Sequence, residues 1–150
     1  MFEIALVFDD NMLIEDIGKG RKECFGIWLQ DGQTHYPSEN WFDNGLIILS
    51  WWTVTWQSLV DSQPDQGISF MEGPYHLSVI QEPTGKVKLV DKNKDTLFVL
   101  RVEELGKQLR KALNAVIRHF HDLDLRTENL ESLIKCLKIV ETGLKKVKTS

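Results

Sequence analysis

The stretch WFDNGLIILSWWTVTWQSLV, residues 41–60, holds four of the chain's five tryptophans: Trp41, Trp51, Trp52 and Trp56. No charge interrupts it between Asp43 and Asp61. Trp41, Gly45, Ile48, Trp52, Thr55 and Leu59 recur at steps of three and four. So do Phe42, Leu46, Leu49, Trp56 and Val60, which predicts one helix with two apolar faces. Asn40 is the expected N-cap, with Asp43 reaching back in the manner of a capping box. Asp61-Ser62-Gln63-Pro64 ends the helix, because the residue before a proline avoids the helical region. Two apolar faces need two partners. One is read as a sheet, with Gly45 allowing close approach, and the other as further helices or a second protein. A membrane span is excluded. The uncharged run is short of the ~20 residues required and lacks a basic flank.

Outward from this helix, short β-prone segments alternate with turn signals. Phe2 to Phe8 and Glu23 to Gln30 read as strands, joined by a connection from Met12 to Lys22 after an Asp9-Asp10-Asn11 turn. Asp31-Gly32 signals a hairpin, and Thr34 to Pro37 leads into the helix. After a loop at Gln63 to Gly67, strands are expected at Ile68–Met71, Tyr75–Gln81, Lys86–Val90 and Thr96–Val102, in an antiparallel meander. Glu103 to His121 is an amphipathic helix. Thr127 caps a last one, and the two should form a hairpin. The reading is a single α+β domain over residues 1–150. It has one antiparallel sheet of five to six strands, the tryptophan helix across it, and the C-terminal helix pair.

Charge divides the chain. Residues 1–82 contain 13 Asp or Glu and 3 Lys or Arg, a net of −10, while residues 83–150 contain 9 and 15, a net of +6. An acidic surface repels phosphate and suits a basic protein partner. Nothing at the start reads as a signal peptide, and Cys24 and Cys136 are far apart. The expectation is a cytoplasmic protein with reduced thiols.

Catalytic motifs are weak. There is no G-x-S-x-G, and neither cysteine has a context that depresses its pKa. His119 and His121 stand two apart on a helix, pointing about 200° from each other, so they cannot share an ion. Gly18-x-Gly20 lacks the third glycine of a dinucleotide loop. Lys86, Lys88, Lys92 and Lys94 suit the edge of a sheet, where lysines block aggregation. No catalytic residue, cofactor or metal is expected.

Trp28, Asp31-Gly32, Tyr36-Pro37, Trp41, Asp43, Ile48-Leu49, Trp52, Leu59 and Phe70-Met71-Glu72-Gly73-Pro74-Tyr75 together resemble a pattern in small bacterial immunity-type proteins. These accompany polymorphic or contact-dependent growth-inhibition toxins. The resemblance covers roughly residues 25–80 and leaves out the C-terminal hairpin. It implies a non-enzymatic inhibitor that binds one toxin domain, often an RNase or DNase, and blocks its active site. Asp9, Asp10, Glu15, Asp16 and Asp31 would then meet the basic cleft, with Trp28 and Tyr36 as aromatic anchors. The chain would act as a monomer, without touching nucleic acid or membrane. Two other readings stay open: an interaction domain or homodimer through the C-terminal hairpin, and a small metal-dependent hydrolase using the acidic cluster.

Overall fold

A computed structural model describes residues 1–63 and 67–149. The elements in chain order are β1 (Glu3–Val7), α1 (Asp10–Gly18), β2 (Cys24–Asp31), β3 (Thr34–Tyr36), β4 (Phe42–Asn44), α2 (Gly45–Val60), β5 (Ile68–Ser69), β6 (His76–Gln81), β7 (Lys86–Val90), β8 (Thr96–Arg101), α3 (Val102–Asp122) and α4 (Glu128–Thr149). The α+β class and the antiparallel pairing are as expected. The single sheet is not. Two four-stranded sheets form instead, β1–β4 before the tryptophan helix and β5–β8 after it.

In the first sheet β2 is central. It pairs with β1 on one side and with both β3 and β4 on the other. Asp31 pairs with Thr34 across the expected hairpin, and β3 and β4 then form one interrupted edge, bridged where the Ile27 amide donates to the Trp41 carbonyl at 2.8 Å. In the second sheet the order follows the chain, β5-β6-β7-β8, as the meander predicted. The expected loop from Gln63 to Gly67 falls partly on residues 64–66, outside the described residues.

Two local expectations are corrected. Residues 10–18 are a helix, not a connection. Asp9 caps it by accepting the Met12 amide at 3.1 Å, and Leu13 is fully buried beneath it. The central helix begins at Gly45 with Asn44 as its cap, rather than at Trp41 with Asn40. Phe42–Asn44 pairs with Cys24–Gly26 instead, and Asn40 takes a positive φ of 63°. Sheet pairing wins over helical spacing here because the Asp43 carboxylate is held elsewhere, as described below.

The core lies where α2 meets everything else. A Cβ on Gly45 would fall 1.9 Å from the Phe25 ring, so the helix start sits directly on β2. Trp52 and Thr55 tie the helix to β5. Their side chains donate to the Ser69 and Gly67 carbonyls, each at 2.8 Å. Trp56 lies between α3 and α4, its ring against Gly106 and Gly143 and its indole N–H donating to the Val102 carbonyl at 2.8 Å. The two last helices pack as a hairpin, and Thr127 accepts the Leu130 amide at 3.2 Å as its sequence position predicts. One stripe of α2 stays uncovered, with Trp51 and Val54 exposed. No helix among the described residues is long and apolar enough to cross a membrane.

Candidate functional site

Asp43 is a fully buried carboxylate with four donors. Oδ1 accepts the Asn44 amide at 2.7 Å. Oδ2 accepts the Trp41 indole N–H at 3.0 Å and the amides of Met71 and Glu72 at 3.2 Å each. A buried carboxylate needs such donors, because desolvating it alone is expensive. The group therefore fastens the segment before α2 to the turn at residues 70–75. Gly73 makes that turn with a φ of 87°, and the Tyr75 ring packs beside it.

On this frame stands a half-exposed aromatic patch. Tyr75 meets Trp41 edge-on at 5.0 Å and Tyr36 at 5.8 Å. Tyr36 also meets Phe70, which packs on Trp52. The Tyr36 hydroxyl accepts the His76 amide at 2.9 Å and lies 3.3 Å from the His76 carbonyl, to which it donates. Burial raises the Tyr36 phenol pKa, so the hydroxyl stays protonated and able to donate. Beside the patch a cavity of about 260 Å³ is lined by Tyr36, Tyr75, Pro74, His76 and the turn at Asp91. Glu72, in the turn that Asp43 holds, meets Lys22, after α1, at 3.5 Å.

The residues expected to meet a partner are placed as follows. Asp9, Asp10, Glu15 and Asp16 lie along α1 and its cap, each with a partner within the chain. Asp9 caps the helix; Asp10 lies 2.6 Å from His119 Nε2; Glu15 pairs with Lys19 at 2.6 Å; Asp16 lies 3.6 Å from Arg21. Asp31 is at the far end of β2, where it binds the N-terminal amine at 2.9 Å and raises its pKa. Trp28 is 5% exposed, and its indole donates to Gln30 at 2.8 Å, so its ring packs within the chain. Tyr36 alone of this set belongs to the aromatic patch. Tyr75 and Asp43 were not singled out as functional, although both lie in the segments that carry the resemblance.

A nucleophile–base contact exists, with Ser69 Oγ 2.7 Å from His76 Nδ1. These two are register partners on β5 and β6, and among the described residues no carboxylate orients the ring. The pair is a cross-strand contact rather than an assembled triad. Among the described residues no three His, Cys, Asp or Glu side chains converge to hold a metal ion. His119 instead stacks on Phe8 at 4.1 Å. No protein-family model, curated protein or solved structure matches the chain.

Proposed function

We propose that this chain is a protein-binding inhibitor of the immunity type, cytoplasmic and non-enzymatic, which neutralises a bacterial toxin domain by covering its active site. The observation that carries the reading is the aromatic patch of Tyr36, Trp41 and Tyr75, half-exposed yet fixed from below by buried Asp43. Tyrosine and tryptophan supply large contact area at low entropic cost, and a braced patch has little left to lose on binding. Its flank is acidic on the α1 side, through Glu72 and Asp16, which pair with Lys22 and Arg21. Such a flank suits a basic nuclease cleft, adding encounter rate more than affinity because each acid already has a nearby cation. The homodimer reading is less well supported, since α3 and α4 turn their apolar faces onto each other and onto Trp56.

The test is capture of a partner from bacterial lysate with tagged chain at low and high salt, followed by co-expression. The expected partner is a polypeptide with a basic catalytic domain that kills cells alone and is harmless with this chain. A Tyr75→Ala chain should lose protection while staying folded at the growth temperature. A captured partner that is not toxic, or protection that survives Tyr75→Ala, refutes the reading.

A further inference from the structure

We infer that the uncovered stripe of α2 docks onto the same stripe of a second copy of the chain, helix against helix in opposite directions. Ile47, Ser50, Trp51, Val54, Gln57 and Ser58 reach the surface along one face of the helix, at steps of three and four. None of them is charged, whereas the exposed faces of α3 and α4 are largely charged. Val54, in the middle of the stripe, is 57% exposed, more than any other large apolar side chain among the described residues except Met1. A contiguous apolar face left open in this way marks a contact surface. It is not the apolar seam of the C-terminal hairpin, which is already filled.

The charge beside the stripe selects the occupant. α4 runs alongside α2 in the same direction: Cys136 meets Thr53, Gly143 faces Trp56, and Lys146 lies 3.8 Å from Asp61. The two helices flank one cleft, lined by Gln57 and Asp61 on the α2 side and by Lys138, Ile139, Thr142 and Lys146 on the α4 side. Helical spacing carries that edge of α4 back through Lys135 to Glu131 and Glu128. The edge is therefore acidic where the two helices start and basic where they end. Glu128 and Glu131 have no cation partner among the described residues. A two-fold axis across α2 at the level of Val54 turns the second copy end for end and lays α4 on α4. Glu131 then comes to Lys146 of the second copy, and Lys135 to Thr142. Asp61 comes to the first turn of the opposing α2, the positive end of a helix. Along the stripe Trp51 faces Ser58, large against small. Lys138 lies near the axis but on the solvent side of its helix, where water and salt screen it from its counterpart. A parallel pairing instead sets Asp61 against Asp61. A partner of uniform charge, such as a basic toxin domain, would suit one end of this edge and be repelled by the other.

Sedimentation equilibrium of the full chain reads the oligomeric state, and a dimer is expected. Val54→Glu sets two carboxylates against each other on the axis and should weaken the dimer by about a hundredfold or more, with far-ultraviolet circular dichroism unchanged. Glu131→Lys and Lys146→Glu, each alone, set like charges across both contacts and should weaken it by about tenfold. Mixed in equal amounts, the two variants should recover the parent's association, because every contact across the mixed pair is again opposite in sign. Losing the Asp61–Lys146 pair within one chain would not be repaired by mixing. The mixture decides even where Val54→Glu does not fold. The inference is overturned if the chain is a monomer at about 100 µM, a concentration that would populate any dimer of micromolar Kd. It is also overturned if Val54→Glu associates as the parent does, or if the mixture associates no better than either variant alone. The stripe shares no residue with the aromatic patch, so Tyr75→Ala should leave the dimer intact and the two readings fail separately.

Discussion

Asp43 Oδ2 accepts the backbone amide of Met71, 28 residues further along the chain, at 3.2 Å. Through that bond and those to Trp41 and Glu72, one buried carboxylate joins the edge of the first sheet to the turn that opens the second. Asp43→Ala leaves the indole and three amides without their acceptor. The expected loss is at least about 3 kcal/mol, since each buried unsatisfied donor costs about 1–3 kcal/mol. Asp43→Asn keeps one acceptor oxygen and turns an amide toward donors, so it should fall between Ala and the parent. Urea unfolding of the three chains checks the order. Equal stabilities would mean that the carboxylate does not brace the patch.

Trp56 occupies a slot that two glycines create. A Cβ on Gly106 would lie 2.4 Å from its ring, and one on Gly143 2.5 Å, so each helix presents bare backbone to the indole. Alanine improves helix propensity by about 1 kcal/mol, but overpacking costs about 1–3 kcal/mol. Gly106→Ala should therefore destabilise the parent chain. In a Trp56→Leu background the ring clash is gone and only the Leu144 Cδ2 methyl, 2.8 Å from the same Cβ, has to shift, so the same substitution should become neutral or stabilising. The reversal is read from the urea midpoint at constant slope. A Gly106→Ala effect identical in both backgrounds would place its cause outside this contact.

Much of the architecture was legible because its signals are local. The Asp31-Gly32 hairpin, the meander from Ile68 onward, the Thr127 cap and the helix end before Pro64 each rest on a few adjacent residues. What was hidden depends on distant ones. Phe42 and Trp41 fit the helical spacing of α2, and only the long-range demand of Met71 and Glu72 for Asp43 shows why residues 42–44 pair with β2 instead. Helix α1 was read as a connection because Gly18 and Gly20 sit near its end, while its decisive contact is the burial of Leu13. The acidic half was legible as composition but not as a surface. Asp10 meets His119 and Asp61 meets Lys146, both supplied by the basic half.

Cys24 gives a pH-dependent readout of the same region. Burial raises its thiol pKa first, and the nearby carboxylates of Glu72 and Asp43 raise it further. The thiolate is the reactive form, so alkylation at neutral pH should be slow and should climb only above the range of an unperturbed thiol. Because the folded pKa exceeds the unfolded one, the stability this contributes is complete below the unfolded thiol pKa. It is lost as pH rises through the folded value. Glu72→Gln removes the largest of the three carboxylate contributions, those of Glu72, Asp43 and Asp16, and should shift the alkylation profile to lower pH. An unmoved profile would show that Glu72 does not reach the thiol.

Tyr36 and Tyr75 separate folding from binding. The Tyr36 hydroxyl both accepts from and donates to the His76 backbone, so Tyr36→Phe should cost about 0.5–1.5 kcal/mol of stability per bond lost. The ring, which carries the contact with Tyr75, is retained, and partner affinity should change little. Tyr75→Ala removes a ring that is 37% exposed and touches both Tyr36 and Trp41. Its stability cost should be the smaller of the two, while its cost to partner binding should reach about 2 kcal/mol, the level of a hot spot. Thermal melts and calorimetric titration of both variants test the opposition. If Tyr75→Ala weakens folding more than binding, the ring is structural and the partner's contact lies elsewhere.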